Sequence, residues 1–283
     1  MRYLVITILI NFTFSITTTS AYTPSALPIN AKALSMASLG VASDYNNWIN
    51  PASLGYSKIE LLEFSQNSWI YDDVSGANIS YRSNQQVISY HYWKIDDIFL
   101  YEDIPSDAPL GSVSSQNIFL QYSRSFNIKS HYFGLNMGAR YVSLFDWEDK
   151  GLNLDLGYQK TIRAGIKLGI AAKNIFSENK NSDKLPKFIA IGVKKEIYKT
   201  PFFVYLDLFK HENNGFGSFQ AIKFVKNNFD LICGVKYLEK FDSIDISLGF
   251  NFNLRNLQFS ISTLLLENSS FQAPVSYQIS YLF

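Results

Sequence analysis

The chain has 283 residues, of which 47% are hydrophobic, 16% aromatic and only 17% charged, and its formal net charge is +1. Charge is scarcer and aromatic content higher than in an ordinary soluble domain. The absence of clustered Lys and Arg excludes a nucleic-acid partner, because binding phosphate needs such clusters. Cys233 is the single cysteine and lies deep in the chain, which excludes an intramolecular disulfide and an N-terminal lipidated cysteine.

In chain order, Arg2, the apolar stretch Tyr3 to Ile16, and Thr19 and Ala21 at the positions a signal peptidase reads predict a secretory signal over residues 1–21. It is too short to be a spanning helix. No later segment is long and apolar enough to cross a bilayer as a helix, so a mature chain that spans a membrane must do so as a closed barrel. No Pro/Gly/Ser-rich linker divides the rest, which predicts one domain.

Residues 22–56 are not strand-like. Ala31 to Leu39, rich in Ala, Leu and Met, predicts a short helix stopped by Gly40. Asn50-Pro51-Ala52-Ser53-Leu54-Gly55 predicts a small helical turn in which Asn50 caps, Pro51 takes the first helical position and Gly55 closes. In a barrel too wide for its own side chains to fill, this segment is a candidate plug, with Asn50, Pro51 and Ala52 as its motif.

From about residue 57 the chain breaks into some fourteen short segments of alternating apolar and polar residues. Short links (Ser83-Asn84, Asn127 to Ser130, Thr161 to Arg163, Lys199-Thr200, Asn227-Asn228, Arg255-Asn256) alternate with longer ones, such as Ser68 to Asp73, Ile95 to Ser114, Ser177 to Lys184 and Glu267 to Ala273. That order predicts an all-β fold: a transmembrane antiparallel barrel of about fourteen strands, with twelve also open, over residues 57–283. An even count puts both termini on the periplasmic side. Parity assigns Phe133, Leu135, Met137 and Ala139 to lipid, and likewise Leu152, Leu154, Leu156 and Tyr158, then Ile246, Leu248, Phe250 and Phe252, then Tyr277, Ile279, Tyr281 and Phe283. The same parity turns Arg82, Arg140, Asp155, Lys167, Lys173, Lys236 and Asp245 into the lumen, where Asp155 beside Lys167 reads as an internal pair. Val87 to Trp93 fits either face, and Pro201 to Leu208 alternates poorly. Two aromatic girdles are expected: Phe126, Tyr132, Tyr158, Tyr198, Phe224, Phe229, Phe252 and Phe283 at the short-turn end, and Trp69, Tyr71, Trp93, Trp147, Phe209, Tyr237 and Phe241 at the other. Strand glycines, among them Gly138, Gly157, Gly169, Gly234 and Gly249, mark bends or the close approach of a plug.

The run from Ala31 to Ala42, then Asn50-Pro51-Ala52, then Leu61 to Tyr81, resembles the opening of PorV/PorQ-type proteins of the FadL-like superfamily of outer-membrane barrels. The likeness continues through Gln121-Tyr122-Ser123-Arg124, Gly151 to Tyr158, Lys173-Asn174-Ile175, Leu185-Pro186 and Ile191-Gly192. The resemblance implies a fourteen-stranded barrel with an N-terminal plug. It also implies a non-catalytic function, either as cargo shuttle or scaffold in type IX protein secretion, or as a FadL-like channel for diffusion of hydrophobic small molecules. The expected partners are outer-membrane lipids, the barrel assembly machinery, which the resemblance implies reads the terminal Tyr281 and Phe283, and either type IX components and secreted cargo or a hydrophobic ligand.

Chemistry is not expected. The histidines are His91, His131 and His211; no Ser or Asp cluster accompanies them, and His91 reads as a satisfied lumen or interface residue. Phosphate-binding glycine loops and metal-ligand spacings are absent, so no cofactor, metal site or catalytic residue is predicted.

Overall fold

The computed structural model describes residues 29–56, 58–69, 74–100, 109–144, 146–163, 165–180, 184–265 and 273–283. The expected signal at 1–21 and the start of the expected plug, 22–28, lie outside them. The wall consists of β1 (Leu61–Trp69), β2 (Val74–Ser83), β3 (Gln86–Leu100), β4 (Gly111–Ile128), β5 (His131–Leu144), β6 (Trp147–Arg163), β7 (Ile166–Asn179), β8 (Phe188–Glu196), β9 (Phe202–His211), β10 (Gly215–Lys226), β11 (Phe229–Leu238), β12 (Ser243–Leu254), β13 (Leu257–Leu265) and β14 (Val275–Leu282). Each strand pairs antiparallel with its sequence neighbours, and β1 pairs with β14, Leu61 opposite Leu282 and Ser68 opposite Val275, so the fourteen strands form a closed barrel without a free edge.

The alternation of side chains decides which face is which. Leu152, Leu156, Ile189, Ile191, Leu206, Leu208, Leu248, Phe250 and Ile279 all point outward and are 40–65% exposed. A soluble monomer does not carry an apolar band around its whole circumference, because the largest apolar patch on such a protein is a few hundred Å². Hydrocarbon is the solvent that accepts it, and a closed ladder pairs the strands' backbone groups with one another rather than with that solvent. No described helix is long and apolar enough to cross a membrane.

The short links close tightly where the sequence permits a left-handed backbone. Asn84, Lys129 and Ser130, Gly165, Lys199, Asn227 and Arg255 all have φ between 48° and 79°, as the hairpin turns that match strand twist require. One expected turn moves: β6 continues through Arg163, which pairs with Ile166, so the strand runs on through the expected turn at Thr161 to Arg163. The long link Ile95 to Ser114 shrinks for the same reason, since the β3–β4 ladder continues past a bulge between Ile95 and Ile98 to Leu100 opposite Gly111. Residues 101–108 of it lie outside the described residues.

Several aromatic assignments are corrected. Trp93 and Phe209, expected in the outer girdle, are 7% and 5% exposed and face the interior; Phe241 also packs on the internal core. Tyr132 turns inward and meets the Tyr56 ring at 4.0 Å. In β3, β5 and β9, which carry Trp93, Tyr132 and Phe209, the ladder's parity overrides the local wish of an aromatic ring for an interface. Ile88 and Tyr90 face out, and Val87, His91 and Trp93 face in, which resolves the ambiguous strand. Tyr71 and the side chain of Trp69 lie outside the described residues.

The seam between first and last strands ends on Phe283, whose N–H donates to the Glu60 carbonyl at 3.1 Å. Its ring lies 5.0 Å from that of Tyr281 and 6.4 Å from that of Tyr81. Deleting Phe283 removes this closure and is expected to lower the amount of assembled barrel in membranes severalfold. Quantitative immunoblotting of the heat-modifiable, folded band checks it, and wild-type levels would refute it.

Candidate functional site

Residues 29–56 fill the short-turn half of the lumen and are fastened there by polar contacts. The helix α1 (Ala31–Leu34) is capped by Asn30, whose side chain accepts from the Ala33 N–H at 2.8 Å. It is shorter than the expected Ala31 to Leu39 helix, because Ala37 and Ser38 take positive φ before Gly40. A 3-10 helix covers Pro51–Tyr56, with Gly55 inside it rather than closing it. Asn50, fully buried, donates to the carbonyls of Val41, Tyr158 and Ile170 at 2.8–3.2 Å and accepts from the Ala52 N–H at 3.1 Å. One side chain thus ties the plug to itself and to β6 and β7.

The wall answers with groups of its own. Asp207 on β9 accepts from the Gly40 and Val41 N–H groups at 2.6 and 3.0 Å. Gln159 donates to the carbonyls of Val41 and Ser43 at 2.7 and 2.9 Å. Glu63 on β1 receives Lys32 at 2.7 Å, and Asp44 is held by Lys167 and Lys194 from β7 and β8. Burial pushes the Tyr56 hydroxyl up to about 12, and Lys167 Nζ lies 3.1 Å from the centroid of its ring. At Gly134 and Gly169 the plug backbone lies directly on the wall. A Cβ there would come within 2.2 Å of Ala52 N and 2.3 Å of Val41 O respectively. Gly157 and Gly249 also face the plug, whereas Gly138 and Gly234 meet side chains of the wall.

All seven polar residues assigned to the lumen face inward, with varied partners. Arg82 donates to the Leu54 carbonyl at 3.2 Å, Arg140 meets Asp149 at 3.3 Å, and Lys236 meets Asp245 at 3.3 Å. The expected Asp155–Lys167 pair does not form. A bulge places Lys173, Asn174 and Ile175 between the pairs Leu154–Phe176 and Leu156–Ala172. Asn174 sits at φ 54° and its N–H, displaced from the ladder, donates to Asp155 at 2.8 Å. Asn153 and Asn136 add 3.2 and 3.3 Å bonds, so Asp155 is occupied by the bulge and its neighbours while Lys167 goes to the plug.

Above the plug the wall rises higher on one side, β3–β7 running 14–18 residues against 8–12 elsewhere. Within that taller side lies a cavity of ≈ 50 Å³. Trp48 and Ile29 of the plug form its floor; Trp93, Phe119 and His91 line one flank, and Arg140, Asp155 and Lys173 the other. The Trp48 ring meets His91 at 5.0 Å and Phe119 at 5.4 Å, both edge-on. Lys173 Nζ lies 4.1 Å from the Trp48 ring centroid. His91 is 2% exposed, yet neither ring nitrogen has a hydrogen-bond partner among the described residues, contrary to the satisfied role expected of it.

Sequence reasoning missed Asp44, Asp207 and Glu63. Each was obscured in its own way: Asp44 sits in an irregular segment, Glu63 in a strand with apolar Leu61 on one face and Leu62 and Phe64 on the other, and Asp207 in a strand whose inward face, Phe203, Tyr205 and Phe209, is as apolar as its outward one. No described cluster of three His, Cys, Asp or Glu could hold a metal ion.

No family model matches the chain, and no curated protein matches it in sequence. Among solved structures, it shares its fold with the CymD monoaromatic hydrocarbon channel, with a TM-score of 0.65, 12% identity, and coverage of 90% of this chain and 98% of that one. The P. putida toluene transporter TodX gives a TM-score of 0.65 at 10% identity over 90% of this chain and 98% of that one. A second TodX structure gives 0.62 at 12% identity over 88% and 96%.

Proposed function

We propose that this protein is an outer-membrane channel of FadL-like type for small hydrophobic molecules, with residues 29–56 as its movable plug. The observation that carries the reading is the lumen itself. It is closed by a segment docked through individual polar contacts, and above that segment lies a cavity walled by Trp48, Trp93 and Phe119. A general porin keeps an aqueous channel, and this lumen has a hydrophobic core of plug and wall side chains instead, including Leu34, Met36, Val41, Tyr205 and Phe219. The shared fold with two hydrocarbon channels supports the same reading. The secretion role implied by the opening residues has no comparable support.

The charge distribution supports one membrane orientation. The short-turn end carries exposed Lys58, Arg124, Lys129, Arg163, Lys195, Lys199, Lys226 and Arg255, and basic residues near anionic headgroups contribute about 1 kcal/mol each. This basic rim suits the phospholipid leaflet facing the periplasm, with both termini on that side. Uptake tests the function. Cells or liposomes carrying the protein are expected to take up toluene several times faster than controls while their permeability to a disaccharide stays unchanged. Equal toluene entry with and without the protein would sink the reading.

A further inference from the structure

The cavity above Trp48 holds polar groups that the protein leaves without partners. The Lys173 side chain makes no hydrogen bond or ion pair among the described residues; its ammonium rests on the Trp48 ring at 4.1 Å and is attracted only at longer range by the Asp155 carboxylate on the same lining. The acids beside it are already engaged. Asp155 accepts from Asn174, Asn153 and Asn136, and Asp149 takes Arg140. His91 is 2% exposed with both ring nitrogens unpartnered. Arg140 Nε and Asn153 Oδ1, on the same lining, likewise lack partners among the described residues. Buried polar groups left unpaired cost on the order of 1–3 kcal/mol each, so several together favour a ligand that completes them.

We propose that this cavity binds a small aromatic carboxylate, its ring against Trp48, Trp93 and Phe119 and its carboxylate between Lys173 and His91. The proposal rests on the channel reading and narrows its occupant. A plain hydrocarbon would fill the aromatic walls but leave Lys173 and His91 as they are. An aromatic amine would set a second cation against Lys173. A carboxylate matches the ammonium, and a neutral imidazole supplies one N–H donor to it and keeps one acceptor. The volume adds a condition: about 50 Å³ is well below the roughly 150 Å³ that holds benzene in a protein interior. The ring therefore enters only as the lining gives way, and because Trp48 and Ile29 of that lining belong to the plug, occupancy is expected to be coupled to plug displacement.

Titration of the full-length protein in detergent with benzoate, toluene and benzylamine, followed by tryptophan fluorescence and calorimetry, tests this. Benzoate is expected to bind at least tenfold tighter than toluene or benzylamine. Lys173→Met and His91→Phe should each weaken benzoate at least tenfold and leave toluene unchanged, with Lys173→Arg restoring benzoate binding; heat-modifiable mobility verifies that each variant is folded. If toluene binds as tightly as benzoate, or Lys173→Met binds benzoate like wild type, the carboxylate assignment falls while the channel stands. If none of the three binds and toluene uptake is also absent, the channel reading falls with it.

Discussion

Replacing Asp207 by Ala is expected to release the plug while leaving the barrel wall intact. The carboxylate is 3% exposed and is the acceptor for two consecutive plug amides, Gly40 at 2.6 Å and Val41 at 3.0 Å. Without it both N–H groups remain buried and unpaired, at about 1–3 kcal/mol each, or about 2–6 kcal/mol together against the docked state. Even the lower figure raises the undocked fraction about thirtyfold, since each 1.4 kcal/mol is a factor of ten. The wall does not share the loss, because residue 207 still pairs through its backbone with Gly192 and Phe219. Asp207→Asn separates charge from acceptor: it keeps one oxygen for the two amides and should lose much less. Hydrogen exchange read by mass spectrometry over residues 39–42 checks both variants. Protection in Asp207→Ala equal to that of wild type would remove Asp207 as the anchor.

The wall was more legible in the sequence than its contents, and for a physical reason. In a strand the side-chain period is two and one face meets lipid, so a slip of one residue would drive Arg140 or Asp155 into hydrocarbon at about 2–4 kcal/mol for the basic group near the midplane. That penalty writes itself into alternation, which is why the strands carrying Arg140, Asp155 and Asp245 were assigned to the correct faces. The rule weakens where the interior is itself apolar. In β9 the inward Phe203, Tyr205 and Phe209 look no different from the outward Phe202, Leu206 and Leu208, and the sequence around Trp93 suits an interfacial ring as well as an interior one on the same grounds. Partners were harder still. Strand proximity predicts an Asp155–Lys167 pair, but a one-strand bulge at Asn174 captures the acid, and the plug's Asp44 captures the base. Bulges and irregular segments have no period, so their hydrogen-bond demands appear only once the backbone is placed. His91 shows the same limit from the other side: its inward position follows from ladder parity, and its lack of partners does not.

Gly134→Val should evict the plug more completely than any loss of a hydrogen bond, because it removes the space the plug occupies. The added Cβ would lie 2.2 Å from both Ala52 N and Pro51 C, backbone atoms of the 3-10 turn that cannot rotate aside as a side chain would. Overpacking of this kind costs about 3 kcal/mol or more when the neighbour cannot yield, and here the neighbour yields only by undocking. Meanwhile the strand gains a residue with better β propensity than glycine, and the β5 ladder to β4 and β6 retains every backbone partner. The barrel is therefore expected to reach the membrane in normal amounts with a lumen that no longer closes, and entry of a bulky hydrophilic antibiotic should rise at least tenfold. Gly169→Val, aimed at Val41 O from 2.3 Å, should behave alike. Gly111→Ala, where nothing lies within 4 Å, should leave entry at the wild-type level and so separates plug displacement from a general effect of altering the wall. Antibiotic sensitivity indistinguishable from wild type, in cells where the folded Gly134→Val barrel is present at normal levels, would mean that residues 29–56 do not gate the lumen.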